Sequence, residues 1–233
     1  MKILGIESSS LVASAAILDG DRLIAEYTVN NGLTHSQTLL PMIDAVVSAS
    51  RIEPGELDAI AVSRGPGSFT GLRIGSATAK GLGLALNKPI VGVPTLAAMA
   101  YGLSETEGCL ICPIMDARRG EVYSAVYRFE NNVMKTVFEE SAGPVQALIE
   151  QLNRLGERTV FLGDGCEPCR SIIDERLKTG HSFAPAHLSR QRAGSVAALG
   201  LYLFKNGEAV PSGEHVPVYL RVSQAEREKS LKS

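Results

Sequence analysis

The sequence predicts a globular α/β protein of two similar lobes, and three observations predict it. The chain has 233 residues, which exceeds an average domain of about 150 residues and allows two small units. Hydrophobic residues make up 45% and charged residues 21%, which is typical of folded proteins and excludes disordered or fibrous chains. A pattern of three strands, a helix, a strand and a helix occurs twice, which indicates an internal duplication.

The first copy begins with three short β-rich runs, at residues 3–7, 12–18 and 22–29. A helix follows from Thr34 to about Ser50, and Thr34 with Gln37 predicts a capping box at its start. Pro41 lies inside this helix and predicts a kink about one turn above the cap. The copy ends with a buried strand, a helix and a strand, at 59–63, 70–86 and 90–93.

The second copy repeats this order with strands, a helix, a strand and further helices, at 110–116, 121–129, 133–139, 144–154, 159–162, 168–177 and 195–204. We therefore expect an N-terminal lobe over residues 1–101 and a C-terminal lobe over residues 102–221. The last helix is expected to return towards the first lobe. Residues 222–233 are mostly polar or charged and predict a mobile tail or a docking segment that becomes ordered on a partner.

Charge and hydropathy exclude several classes of protein. Lys and Arg total 23 against 25 for Asp and Glu, aromatic residues make up 5%, and there is no Trp, so autonomous nucleic-acid binding is disfavoured. The longest uncharged apolar stretch, residues 89–104, is too short and too interrupted by prolines to cross a membrane. Glu7 interrupts the position where a signal peptide needs an apolar run, so a cytoplasmic protein with reduced thiols is expected.

Small residues recur every four positions in the predicted helix 70–86, which leaves one side of it without large side chains. Because each helical Gly costs about 1 kcal/mol relative to Ala, a close approach to this side is predicted. The helix at 34–50 carries an apolar stripe, and together the two can form a four-helix interface with another subunit. The strip is Gly71, Gly75, Ala79 and Gly83, and the stripe is Leu39, Ile43, Val46 and Val47.

The segment RGPGSFTGLRIG, residues 64–75, joins a strand to a helix through a Gly-Pro-Gly loop. Free N–H groups at such a helix start can hold an anion. No Gly-Lys-Ser/Thr follows, so it is not a Walker A loop. The alternative is a tight structural turn capped by Ser68 or Thr70.

A nucleotide between the lobes is a second hypothesis. Two-lobed ATPases of the actin and sugar-kinase type place an acidic residue and a phosphate-binding turn where the first strand ends. The corresponding candidates are Glu7, Ser8 and Ser9 in the first copy, with Arg118, Gly163 and Gly165 in the second. The alternative for each is an ordinary turn.

Four cysteines form two Cys-x-x-Cys pairs, Cys109 with Cys112 and Cys166 with Cys169. Residues three apart in a strand point to opposite faces, so the first pair cannot chelate one ion. The distance between the pairs far exceeds that of a zinc ribbon, which favours plain thiols over zinc. The four histidines have no nucleophile beside them in a known motif, and His35 is more consistent with a surface or interface residue than with a base.

Six segments together resemble the TsaB (YeaZ) family of tRNA threonylcarbamoyladenosine biosynthesis: ILGIESS, THSQTLLPMI, RGPGSFTGLRIG, ALNKPIVGVPTLAAMA, IMDARRGEVY and PVYLR. The resemblance covers most of the chain, and residues 64–75 and 114–123 are its most specific parts. It implies an ASKHA-type fold of two RNase H-like lobes with mixed sheets. It also implies a subunit that binds the related catalytic protein TsaD together with the ATPase TsaE, forms a homodimer when alone, and meets tRNA only through the complex.

The resemblance implies that the first two helices form this interface, and the predicted contact residues are His35, Leu39, Ile43, Val46, Val47, Gly71, Arg73, Gly75, Ala79 and Gly83. Where TsaD carries a metal-binding His-x-x-x-His, this sequence has Thr95 and Met99, which are not a competent ligand pair. A non-catalytic scaffold without a metal is therefore expected, with ATP or ADP at a subunit junction left open. The alternatives are a free-standing ATPase or small-molecule kinase, and a peptidase, for which no catalytic constellation exists.

Overall fold

The computed structural model describes residues 1–104, 106, 108–118 and 120–221, so the predicted tail at 222–233 lies outside the described residues. The first sheet and its helices use the N-terminal part of the chain. Their bounds are β1 Lys2–Glu7, β2 Ala13–Asp19, β3 Arg22–Val29, α1 His35–Ser50, β4 Ala59–Gly65, α2 Phe69–Leu86 and β5 Ile90–Pro94. A short helix, α3 Thr95–Tyr101, follows directly.

The second sheet and its helices follow in the same order. Their bounds are β6 Leu110–Asp116, β7 Glu121–Glu130, β8 Val133–Pro144, α4 Val145–Leu155, β9 Thr159–Leu162, α5 Cys166–Arg176, β10 His181–Phe183 and α6 Ala193–Lys205. Across the described residues, no helix is long and apolar enough to cross a membrane.

The two sheets have the same strand order. The first is β3-β2-β1-β4-β5 and the second is β8-β7-β6-β9-β10. In each, the first three strands are antiparallel and the last two run parallel to the central first strand. The predicted duplication and the two-lobed α/β fold are confirmed.

Three apolar layers hold these elements together. One lies between the first sheet and helices α1 and α2, and another between the second sheet and helices α4 and α5. The central layer joins both sheets through α3 and α6. Small residues allow α6 to lie close to the first sheet, because a Cβ atom on Gly5 of β1 would lie 2.3 Å from the Ala193 carbonyl oxygen. The last helix of the second half therefore covers the sheet of the first.

Some local predictions are wrong. Thr34 is the N-cap of α1 but makes no side-chain bond to the backbone; its Oγ1 instead donates to Oε1 of Gln37 at 2.9 Å, so the capping box does not form. The sequence did not predict α3, because all but its last residue are buried and complete burial leaves no amphipathic period to detect. Helix α1 continues through Pro41, so the proline does not end the helix, in agreement with the sequence, and the kink stays a prediction.

Candidate functional site

The strip of small residues on α2 faces the chain itself. A Cβ atom on Gly71 would lie 2.1 Å from the Ser8 carbonyl oxygen, and one on Gly75 would lie 2.2 Å from the Ser8 Oγ. At Gly83 a Cβ would lie 2.8 Å from the Cβ of Ser212, while Ala79 is fully buried in the first-lobe core. The predicted groove for a foreign backbone is therefore wrong, because the end of β1 and the C-terminal segment already fill it.

The apolar stripe of α1 faces inward as well. Leu39, Ile43 and Val46 are buried against the first sheet, and Val47 packs on the same layer. His35 is also buried, and its Nε2 donates to the Ser10 carbonyl oxygen at 2.7 Å. The four buried residues are thus part of the lobe's interior, which is the expected place for the apolar side of an amphipathic helix, and they cannot form the contact surface that was predicted. Val47 is half-buried at the edge of this layer.

The outer faces of α1 and α2, which pack side by side, are the accessible surfaces of this pair. Leu40 is 57% exposed and Leu84 is 79% exposed. Small exposed residues occur on the same two helices, namely Ala45 on α1 and Ala77 and Gly81 on α2. Of the residues predicted for the interface, Arg73 alone is exposed, although its Nε lies 3.4 Å from the Tyr219 hydroxyl and its guanidinium stacks on Phe69. We name the exposed side of the two helices the outer helix face.

The sequence did not predict the outer helix face. Leu40 directly follows the buried Leu39, and Leu84 directly follows the buried Gly83. A large apolar residue that lies outside the buried stripe of a helix is a usable signal. It could have been found once the stripe was assigned to the lobe's own core.

A cleft of about 210 Å³ lies between the lobes. Its walls come from the turn after β1, the loop before α2, the β6–β7 hairpin and the turn after β9, through Ser9, Ser10, Leu11, Gly67, Ser68, Met115, Asp116, Ala117, Arg118, Tyr123 and Asp164. Ligand pockets typically measure roughly 300–1,000 Å³. In this conformation the cleft is therefore small for a nucleotide.

Two of the predicted nucleotide residues line this cleft, Ser9 and Arg118. Glu7 and Ser8 are buried beneath it, and the Glu7 carboxylate accepts a hydrogen bond from the Ser9 amide at 2.6 Å. Burial raises the pKa of Glu7 against the opposing effect of its hydrogen bonds. The carboxylate is thus occupied in holding the turn after β1.

The two glycines after β9 also pack inward. A Cβ on Gly163 would lie 2.0 Å from the Ile114 carbonyl oxygen, and one on Gly165 would lie 3.0 Å from the same atom. They are required for the close approach of this turn to β6. Glu7 and Ser8 likewise serve the packing of their turn, and a contact of these four residues with a nucleotide stays a prediction.

The loop before α2 has the geometry of a tight structural turn. Ser68 is the N-cap, its Oγ accepts from the Gly71 amide at 3.3 Å, and its own amide donates to the Ser9 carbonyl oxygen at 2.6 Å. Of the two caps predicted, Ser68 is therefore the one used. The hypothesis of an anion at this helix start stays a prediction.

All four cysteines are free and buried. Burial is the main cause that raises the pKa of the Cys166 thiol to about 12, and it raises the pKa of Cys112 as well. Such thiols stay protonated at neutral pH, and a protonated thiol is a poor metal ligand and nucleophile. Among the described residues, no group of three or more His, Cys, Asp or Glu side chains is placed to hold a metal.

Thr95 and Met99, which replace the His-x-x-x-His pattern, are buried in α3. The Met99 methyl lies 3.0 Å from where a Cβ on Gly163 would be, so this thioether fills the space next to the turn after β9. The Thr95 hydroxyl is buried without a hydrogen-bond partner within the described part of the chain. The position is packed with apolar groups rather than open.

A polar cluster that the sequence did not reveal surrounds Arg64 at the end of β4; Arg64 and Glu140 are half-buried in it and His215 is buried. Glu140 on β8 faces it from the second lobe, and His215 faces it from the C-terminal segment. Burial, as the largest effect, raises the pKa of Glu140 to about 7, while Arg64 opposes this rise. Three distant segments meet here, so no local pattern in the sequence announces the cluster.

Comparisons with known proteins agree with this fold. The family described as "TsaD: tRNA N6-adenosine threonylcarbamoyltransferase" matches residues 30–229. The tRNA threonylcarbamoyladenosine biosynthesis protein TsaB of Bacillus subtilis is 33% identical over 97% of this chain and 96% of its own length. The structure of YeaZ from Pseudomonas aeruginosa matches with a TM-score of 0.77 at 27% identity, covering 94% of this chain and 99% of that one.

A more distant structure shares the fold alone. The inorganic polyphosphate/ATP-glucomannokinase from Arthrobacter sp. strain KM matches with a TM-score of 0.50 at 11% identity, over 88% of this chain and 99% of that one. The two-lobed fold is therefore of the ASKHA type, as the resemblance implied. The chain belongs to the TsaB (YeaZ) family, whose members act in the biosynthesis of tRNA threonylcarbamoyladenosine.

Proposed function

We propose that this chain is a non-catalytic subunit that binds a TsaD-like protein and supports its transfer of a threonylcarbamoyl group to the tRNA adenosine 3′ of the anticodon. A TsaE-like ATPase completes the assembly. The match to the TsaB family supports the pathway, and the outer helix face carries the proposal of a partner. Apolar side chains as exposed as Leu84 and Leu40 on neighbouring helices are typical of a protein-binding surface.

The contact proposed here differs from the one that the sequence predicted. The partner's helices lie on Leu40 and Ala45 of α1 and on Ala77, Gly81 and Leu84 of α2, which form the accessible side of the pair. Their small size lets helices approach closely in a four-helix arrangement. In the free protein the same face pairs with a second copy, because a two-fold axis brings one surface onto itself.

The position of Thr95 and Met99 supports the non-catalytic role. Buried Met99 packs beside the turn after β9, and the neighbouring interlobe cleft measures about 210 Å³. A neutral thioether and a neutral hydroxyl, both buried, offer neither the imidazole or carboxylate ligands nor the open coordination position of a catalytic metal site. In the proposed complex the transfer chemistry takes place on the TsaD-like partner.

Co-purification with the TsaD-like protein, followed by light scattering, tests the proposal. We expect a stable complex that Leu84→Asp weakens at least tenfold, because a buried unpaired carboxylate is costly at an interface. The matched control is Val133→Asp on the β7–β8 turn, since Val133 is 47% exposed on the other lobe. Equal affinity of the Leu84→Asp variant and the unmodified chain contradicts the proposed face.

A reconstituted reaction tests the role. Full threonylcarbamoyl transfer is expected only when this chain is added to the TsaD-like and TsaE-like proteins, and equal activity without it contradicts the proposal. Calorimetry of the isolated chain with ATP and Mg²⁺ tests the alternative of a free-standing ATPase or kinase. We expect no binding at concentrations where two-lobed kinases bind their nucleotides, because the cleft is small and Glu7 is buried.

A further inference from the structure

The segment that follows α6, residues 208–221, crosses the first lobe and ends on the second; we name it the C-terminal strap. Val210 exchanges both backbone hydrogen bonds with Ile90 of β5 at 2.9 Å, and the Val218 amide donates to the Arg64 carbonyl oxygen at 2.7 Å. At its end, Arg221 donates to the Ala117 carbonyl oxygen at 2.8 Å and pairs with Glu121. The strap therefore joins the lobes outside their central core.

The middle of the strap is held by one buried imidazole. His215 is 4% exposed, and its ring lies over Gly92 of β5, where a Cβ would be 3.1 Å from its Cε1. The same Cβ would be 3.3 Å from the Cδ of Arg64. The missing side chain of Gly92 thus provides the space in which the imidazole and the arginine lie together.

The charges around this imidazole are positive. Arg64 of β4 lies beside the imidazole at the uncharged Gly92 of β5, and the charge of Lys80 on α2 also lowers the pKa of His215. The Nε2 atom of His215 is buried without a hydrogen-bond partner within the described part of the chain. Glu140 faces Arg64 from the second lobe and partly offsets its charge. A docked strap therefore favours a neutral His215.

We propose that the C-terminal strap is a proton-released latch, which leaves the first lobe when His215 gains a proton against Arg64 and Lys80. Burial, and then Lys80 and Arg64, lower the pKa of docked His215 below the 6.5 of a free histidine. The released strap binds the proton more readily than the docked strap. The strength of docking is therefore constant above pH 6.5 and decreases as the pH falls through the window below that value.

Release of the strap changes the surface at the start of α2. Tyr219 lies against Phe69 with ring centroids 4.7 Å apart, and its hydroxyl lies 3.4 Å from the Nε of Arg73. Undocking uncovers both residues in the first turns of α2. It also frees the β6–β7 hairpin from Arg221, so one protonation alters the contacts of both lobes.

A single fluorophore reports this movement. The chain has no Trp, so Tyr219→Trp places one indole against Phe69. On the full chain we expect its emission to be constant above pH 7 and to shift to the red as the pH falls from 6.5 to 5. The equilibrium constant for release rises by at most tenfold per pH unit, since one proton is taken up. Far-ultraviolet circular dichroism must stay constant, because only the strap moves.

Two variants in this background link the change to His215. His215→Gln removes the charge and is expected to abolish the pH dependence, whereas the matched control His187→Gln, at an exposed histidine, keeps it. If His215→Gln does not fold, Lys80→Gln replaces it as the test. This variant removes one cation that repels protonated His215, so the fraction of released strap at pH 5 must decrease. The proposal is overturned if emission is flat with pH, if His215→Gln retains the transition, or if circular dichroism is lost in parallel.

Discussion

Replacing Gly71 by alanine tests whether the small strip of α2 belongs to the fold or to a partner. The new Cβ would lie 2.1 Å from the Ser8 carbonyl oxygen and 3.2 Å from the Cδ2 of His35. The first of these atoms is backbone at the end of the central strand and cannot rotate away. The first turn of α2 must therefore move outward by roughly 1 Å to reach ordinary contact.

The expected loss of stability follows from three contributions. Overpacking of this kind costs about 3 kcal/mol, and displacement of α2 also breaks the bond from the Ser8 Oγ to the Gly71 carbonyl oxygen, which contributes about 1 kcal/mol. The higher helix propensity of alanine offsets this loss of stability by about 1 kcal/mol. The net loss of about 3 kcal/mol lowers the Tm by roughly 6 to 12 °C for a chain of this size.

Urea denaturation followed by circular dichroism measures this loss on the isolated chain. Gly81→Ala is the matched control, since it lies on the same helix, is exposed, and a Cβ there meets nothing within 4 Å. It should stabilise the protein by up to about 1 kcal/mol. If both variants are as stable as the unmodified chain and Gly71→Ala impairs only assembly, the strip serves a partner and the reasoning above is refuted.

Three further predictions concern buried polar groups and thiols. Between pH 4.5 and about 7 the folded state holds a proton on Glu140 that the unfolded state has lost, so the free energy of unfolding falls as the pH rises through this window. In urea denaturation, Glu140→Gln should therefore be more stable than the unmodified chain by about 1 to 3 kcal/mol at pH 8 and equally stable at pH 4. The control Glu139→Gln, at an exposed neighbour, should show no such difference. Glu26→Ala should cost about 2 kcal/mol or more by thermal denaturation, because Glu26 pairs with Arg192 and accepts from the Gly194 amide at the start of α6 at 2.9 Å. The comparison is Glu150→Ala, at an exposed position of α4, which should have a smaller effect. Equal losses would contradict the role of Glu26. Alkylation by iodoacetamide at pH 7.5 should be slow in the folded chain and complete in denaturant, because all four thiols are buried, and rapid labelling of Cys166 without unfolding would contradict its assigned environment.

The duplicated fold could be predicted from the sequence because its strands and helices are determined largely by local sequence patterns. Alternating strands, turn residues and amphipathic helices each depend on neighbours in the chain, and their predicted positions agree with the structure to within a few residues at most ends. The family followed from motifs such as residues 64–75. Helix α3 was missed because a short, completely buried helix has no polar side to set its period.

The candidate site could be predicted less well because it depends on which part of the structure, or which partner, each helix face contacts. Periodicity showed that Gly71 belongs to a strip of small residues on one helix and Leu39 to an apolar stripe on another. It does not show whether such a strip packs against the chain's own Ser8 or against the backbone of a partner. The same limit applies to Gly163, because close approach of a nucleotide and close approach of a neighbouring strand both require a glycine and leave the same pattern in the sequence. Arg64, Glu140 and His215 come together only through the tertiary fold.

The position of α6 has a consequence for dissecting the molecule. Gly5 and Gly200 let this helix lie against β1 and β4, and the Glu26 carboxylate holds its first turn. A fragment that stops at residue 101 would expose the apolar underside of its sheet to water, and we expect it to aggregate. The same fragment should be rescued by co-expressing the remainder of the gene, so the duplication has produced halves that complement one another rather than autonomous modules.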